Sequence, residues 1–173
     1  TGENRILVRE GLKRLRMTTH PGMSALIEVN ELARDTLSAF HIGFVLGPCI
    51  NASGRLATAK RALELLDTEE QDLALERAAE LKHLNDERKE LTEQGLTQAV
   101  DLIEHSSLTD DRVLVVYLPD CHESLAGIIA GRIRERYYRP VFVLTRAEDG
   151  VKGSGRSIET YSMFEEMSKC KEL

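Results

Sequence analysis

Apolar positions along the chain repeat at helical spacing up to about residue 105; beyond it, short continuous apolar runs appear. Residues 4–16 place Ile6, Leu7, Gly11, Leu12 and Leu15 near helical period with Arg and Lys opposite, which predicts a short amphipathic helix with a basic, solvated face. His20-Pro21-Gly22 breaks it. Met23, Leu26, Ile27 and Asn30 predict a second helix over residues 23–32, and Asp35-Thr36-Leu37-Ser38 offers caps for a short helical turn. Residues 42–56 (IGFVLGPCINASGRL) read as an apolar lead-in to a loop, after which Leu56, Ala59, Leu63 and Leu66 share one helical face. Asp67-Thr68-Glu69-Glu70-Gln71 then marks a helix start: Thr68 followed by Gln71 fits a capping box, and the acids suit the positive end of the helix dipole.

From there the helical pattern runs to His105 without a proline, with Leu73, Leu81, Leu84, Leu91, Ala99 and Ile103 along a narrow apolar stripe. A helix of about 37 residues would span roughly 55 Å, more than a small domain, so it is expected to bridge two. A coiled-coil dimer is the rival, but heptads are not sustained. Gly95 is its weak point, at roughly 1 kcal/mol relative to Ala. Residues 112–118 (RVLVVYL) and 141–144 (VFVL) predict buried strands, separated by a helix over 125–138 that puts Leu125, Ile128, Ile129, Ile133 and Tyr137 on one face and ends at Pro140. Strand, helix, strand implies a right-handed βαβ unit with parallel pairing. Residues 151–157 form a third, glycine-rich strand or strand edge. Met163, Phe164, Met167 and Cys170 supply a closing core stripe. The fold class is α/β, in three parts: helices over 1–66, a connecting helix over 67–105, and a βαβ-containing domain over 106–173.

Composition narrows this picture. At 173 residues the chain can bury one good core or two small ones, and 42% hydrophobic with 30% charged residues describes an ordinary soluble protein. No run approaches the roughly 18 apolar residues of a membrane span, and no signal-peptide pattern is present; a cytoplasmic setting without membrane contact is expected, and the chain reads as a piece of something longer. Cys49, Cys121 and Cys170 are far apart and lack a C-x-x-C, which points to reduced thiols and away from zinc. The net charge of −6 speaks against nucleic acid until its distribution is seen. Residues 1–66 carry +3, 67–104 carry −8 and 105–173 carry −1, so either flank could present a basic face.

Three groups of residues could carry chemistry. The first is residues 47–55, where glycines allow close backbone approach and Asn51 and Arg55 supply an amide and a planar guanidinium for phosphate. A tight turn with a solvated Arg is the alternative. The second is residues 119–124 (PDCHES), between a strand and a helix start, where ligands of open α/β sheets bind; His122 could donate to an anion and Ser124 could cap the helix. A capping turn with an exposed His is equally open. The third is Lys152-Gly153-Ser154-Gly155-Arg156-Ser157, whose two cations, two hydroxyls and two glycines suit a sugar-phosphate backbone, or else a glycine-rich edge strand with solvated cations. The spacing is not that of a Walker loop. Neither a cluster of carboxylates nor a nucleophile with its base is legible, so the residues by themselves point to binding rather than catalysis.

These motifs resemble the RecJ family of single-strand-specific exonucleases, within the DHH phosphoesterase superfamily. Gly47-Pro48, Asn51-Ala52 and Gly54-Arg55-Leu56 resemble a Gly-Pro-Arg-x-Asn-Ala-x-Gly-Arg motif late in the DHH domain. Residues 122–134 (HESLAGIIAGRIR) resemble the segment opening the DHH-associated domain, and residues 151–158 resemble its Lys-Gly-Ser-x-Arg-Ser strand. The three motifs occur in the family's order and cover essentially the whole chain. Cys49 stands where Arg is usual, which removes one expected phosphate contact, and Gly155 where a small residue such as Ala is common.

The resemblance implies a 5′-to-3′ single-stranded-DNA exonuclease in repair and recombination, using Mn²⁺ or Mg²⁺ held by residues upstream of this chain. Two metals would clamp the attacking and leaving oxygens. Within the chain it implies a binding role for Asn51, Arg55 (on the 5′-terminal phosphate), His122, Ser124, Lys152, Ser154, Arg156 and Ser157, with no catalytic or metal-binding residue. Single-stranded DNA would be the partner, with a single-strand-binding protein and a helicase in the wider setting. With 5% aromatics and no Trp, stacking surfaces from this chain are expected to be limited. A related phosphoesterase acting on oligonucleotides or cyclic dinucleotides, and a non-catalytic nucleic-acid-binding module, are the alternatives.

Overall fold

A computed structural model describes residues 2–170. The first six helices are α1 (Glu3–Arg16), α2 (Pro21–Val29), the single turn α3 (Ala39–His41), α4 (Gly47–Leu56), α5 (Lys60–Asp67) and α6 (Gln71–Glu104). Strand β1 (Leu114–Tyr117), helix α7 (Ala126–Tyr137), strands β2 (Val141–Ala147) and β3 (Gly150–Arg156) and helix α8 (Met163–Ser168) follow. The chain divides into two compact units that part between Arg88 and Lys89, inside α6.

The first unit buries Leu26, Ile27, Leu37, Leu46, Cys49, Leu65 and Leu81 with small residues of α2, α5 and α6. Pro21 does more than break the preceding helix. It occupies the first turn of α2, where its missing N–H goes unneeded, and His20 caps that turn by accepting from Met23 N–H. The segment 42–56 is helical, not a loop. Ile42–Leu46 forms a π turn, closed by Gly47 N–H donating to Ile42 O, and α4 continues from it. Pro48 has no N–H to give the preceding turn and its ring crowds a carbonyl there, which favours the wider turn. A Cβ at Gly47 would stand 2.7 Å from Ile42 O, so only glycine fits.

Three further expectations are modified in detail. Because α5 starts at Lys60, its buried face is Ala62 and Leu65, and Leu63 is 65% exposed. Thr68 makes a turn with its hydroxyl accepting from Glu70 N–H instead of reaching Gln71, which is already the first residue of α6. In the first-unit part of α6, Leu81 is buried as the stripe predicts and is joined by Ala74, Ala78 and Asn85, while Leu73 and Leu84 are only half-buried.

In the second unit, Ala99 and Ile103 of α6 share a core with Leu114, Val116, Leu125, Ile129, Ile133, Val141 and Val143. The sheet order is β1-β2-β3: β1 pairs parallel with β2 across α7, as the βαβ pattern requires, and β3 returns antiparallel as an edge. Tyr138, left-handed at φ 50°, ends α7 by donating to Arg134 O, and Pro140 follows. Glu93 pairs with Arg132, and Glu104 with Arg136 and the Tyr137 hydroxyl, tying α6 to α7. The closing stripe is not a core stripe: Met163 is buried, but Phe164 is 83% exposed and Met167 and Cys170 are also exposed. Six residues of α8 bury one position only.

Candidate functional site

The β2–β3 register decides which side chains of the glycine-rich strand act together. Val141 pairs with Arg156, Val143 with Ser154 and Thr145 with Lys152. Val141, Val143 and Thr145 are buried, and α7 packs against both β2 and β3. Strand alternation therefore places Lys152, Ser154 and Arg156 in a row on the face toward α7 and sends Gly153 and Gly155 to the other. Arg156 Nη1 donates to Ser154 Oγ at 3.3 Å and to Gly155 O at 2.9 Å. Both side chains lie against Gly127 in the first turn of α7, where a Cβ would stand 2.8 Å from Arg156 Nη2 and 2.9 Å from Ser154 Oγ. The positive end of α7, a guanidinium and a hydroxyl thus meet on one exposed ridge.

In the turn that leads into α7, the capping role expected of Ser124 falls to His122. His122 is the cap: its Nδ1 accepts from Ser124 N–H at 3.3 Å, opening the 3₁₀ turn Glu123–Leu125 that leads into α7. Ser124 Oγ lies 2.8 Å from the same nitrogen. With Nδ1 accepting, the ring proton sits on Nε2, which remains a donor. Lys152 Nζ is paired with Glu123 Oε2 at 2.8 Å; the ammonium holds that carboxyl below the usual carboxylate range and is itself raised by it. Its positive charge is therefore answered within the chain. A cleft of about 800 Å³ beside it is lined by Glu123, Glu148 and Asp149 together with Arg146 and Lys152. Ser157 turns away from the row: its hydroxyl accepts from Met163 N–H at 3.1 Å and holds the approach to α8.

In the other unit, Asn51 and Arg55 are exposed one turn apart on α4. On the adjoining helix, Lys60 pairs with Glu64 and Arg61 with Glu80. Cys49 is fully buried and its thiol faces Asn30 Oδ1 at 3.6 Å, so this position looks into the core rather than toward a phosphate. Gly127 and Glu123, which shape the ridge, escaped sequence reasoning because their importance depends on β3 lying over α7. So did Thr145, whose buried hydroxyl has no hydrogen-bond partner. Among the described residues, no three His, Cys, Asp or Glu side chains gather as a metal site, and no helix is long and apolar enough to cross a membrane.

No protein-family model matches the chain. It is 41% identical over 177 residues to the single-stranded-DNA-specific exonuclease RecJ of Salmonella typhimurium, covering 98% of this chain and 30% of that protein. Against the RecJ of Bacillus subtilis it is 35% identical, covering 99% of the chain and 22% of the relative. Among solved structures it is similar to RecJ of Thermus thermophilus in complex with Mg²⁺, with a TM-score of 0.85 and 32% identity over 99% of this chain and 26% of that one. An exonuclease RecJ bound to manganese matches with a TM-score of 0.81 and 33% identity, over 95% and 40% of the two chains. The chain thus spans less than a third of the length of these two curated relatives.

Proposed function

From its homology to the RecJ single-stranded-DNA-specific exonucleases over nearly its whole length, we propose that this chain supplies part of the substrate path of a metal-dependent, 5′-to-3′ exonuclease of DNA repair and recombination. The observation that carries the binding role is the Ser154–Arg156 row laid against the first turn of α7. A phosphodiester there would accept from the Arg156 guanidinium, the Ser154 hydroxyl and His122 Nε2–H, beside the positive helix end. Lys152 joins once a phosphate takes the place of Glu123. Asn51 and Arg55 give the strand a second contact, on the end of the DHH domain formed by residues 1–66. Residues 67–105 connect it to the start of the DHH-associated domain at 106–173.

The Mn²⁺ or Mg²⁺ that such hydrolysis uses finds no fitting ligand set among the described residues. A single-strand-binding protein and a helicase would act beside the whole enzyme in the cytoplasm.

The test is binding of a labelled single-stranded oligonucleotide across a salt series. Arg156→Ala is expected to weaken binding and to lower the slope of log K against log salt by about 0.7, the share of one phosphate contact on a single strand. An unchanged slope would return this row to a solvated strand edge. The chain alone, given Mn²⁺, is expected to leave the oligonucleotide intact.

A further inference from the structure

We propose that Phe40 and Phe44 form a stacking platform for the bases of single-stranded nucleic acid, on the helix face that carries Asn51 and Arg55. This rests on the reading that the chain binds single-stranded DNA, and it names where unpaired bases are held. The two rings lie parallel, 4.9 Å apart at 25°, with Phe40 also edge-on to His41 at 5.8 Å. They are 61% and 70% exposed. Burying a Phe side chain is worth roughly 1.5–3 kcal/mol, so two adjacent rings left in water forgo a substantial gain and mark a surface meant for contact.

What that surface contacts follows from its neighbours. Positions 40, 44, 48, 51 and 55 are spaced four, four, three and four apart, which keeps them on one face through α3, the π turn and α4. Along that face the order is Phe, Phe, Pro, Asn, Arg. Residues 36–63 contain no carboxylate, in a chain with 29 Asp and Glu. Aromatic planes followed by an amide and a guanidinium match bases and phosphates on one strand. From Phe44 to Arg55 is about 16 Å along the axis, room for roughly five nucleotides at the 3.4 Å rise of a stacked strand.

Two oligomers of equal length and charge separate the terms: a thymidine oligomer of about twelve nucleotides and its abasic counterpart. Replacing both rings (F40L with F44L) keeps apolar bulk and removes the planes. It is expected to weaken the thymidine oligomer about tenfold or more and to leave the abasic one unchanged. Phe44→Trp is expected to retain binding, with circular dichroism confirming the fold of each variant. R156A, by contrast, is expected to weaken both oligomers alike. If the double Leu variant binds both oligomers as the unaltered chain does, or loses both equally, the platform is overturned while the Arg156 reading stands. If the unaltered chain binds neither, both are overturned. Loss of an apolar protein contact by the double Leu variant, with DNA binding intact, would reassign the rings to a protein partner.

Discussion

At position 127 the missing methyl group matters more to the ridge than to the helix. An alanine there would gain about 1 kcal/mol of helix propensity. Its Cβ would fall within 3 Å of Arg156 Nη2 and Ser154 Oγ, the mobile ends of two side chains that can swing aside. Gly127→Ala is therefore expected to leave thermal stability equal or slightly raised while single-stranded DNA binding drops several-fold; a melting curve and a binding isotherm on the same sample check both. That Ser154 and Arg156 belong to one group was legible, because two cations, two hydroxyls and two glycines crowd into residues 152–157. Which of them face one another was not. That depends on the β2–β3 register, which turns Ser157 toward α8, and on a loop geometry that makes His122 rather than Ser124 the cap. Likewise Cys49 reads as a lost phosphate contact in sequence, yet its side chain meets Asn30 inside the first core.

Among the elements, period located α1, α2, α6, α7 and the strands β1 and β2, whereas β3, which buries no residue, was legible from its glycines and cations instead. Period failed over residues 42–56, where three glycines and a proline spell a loop. There Gly47 and Pro48 serve a π turn within a helical run. Short α8 shows the opposite error: an apolar spacing that the fold leaves mostly in water. Gly95, which looks like a defect of α6, is where α7 comes close. A Cβ there would stand 2.6 Å from Ile129 Cδ1, and Ile129 is fully buried. Gly95→Ala should thus trade about 1 kcal/mol of propensity for an overpacking cost of roughly 1–3 kcal/mol and end destabilised. Shortening the opposing side chain in the double change G95A with I129V is expected to recover most of the loss in chemical denaturation. A G95A chain more stable than the original would refute the close approach.

For the molecule as a whole, two separate buried clusters imply two stabilities. Leu81→Ala, in the first, is expected to cost about 2–5 kcal/mol and to speed amide exchange chiefly in α2, α4 and α5. Ile133→Ala, in the second, should do the same in the sheet and α7. Exchange rising equally everywhere after either change would mean one cooperative body. The sequence places a division near the long helix, but its position depends on which side chains along α6 face which core, and that the apolar stripe alone does not tell. The division falls between Arg88 and Lys89, in the middle of an unbroken helix. A protease needs several residues of locally extended chain, and an intact helix offers none. The natural cleavage sites of this molecule are then its exposed turns, such as residues 57–59 and 148–149, and a nick at either would open a chain inside a unit rather than release the units from one another.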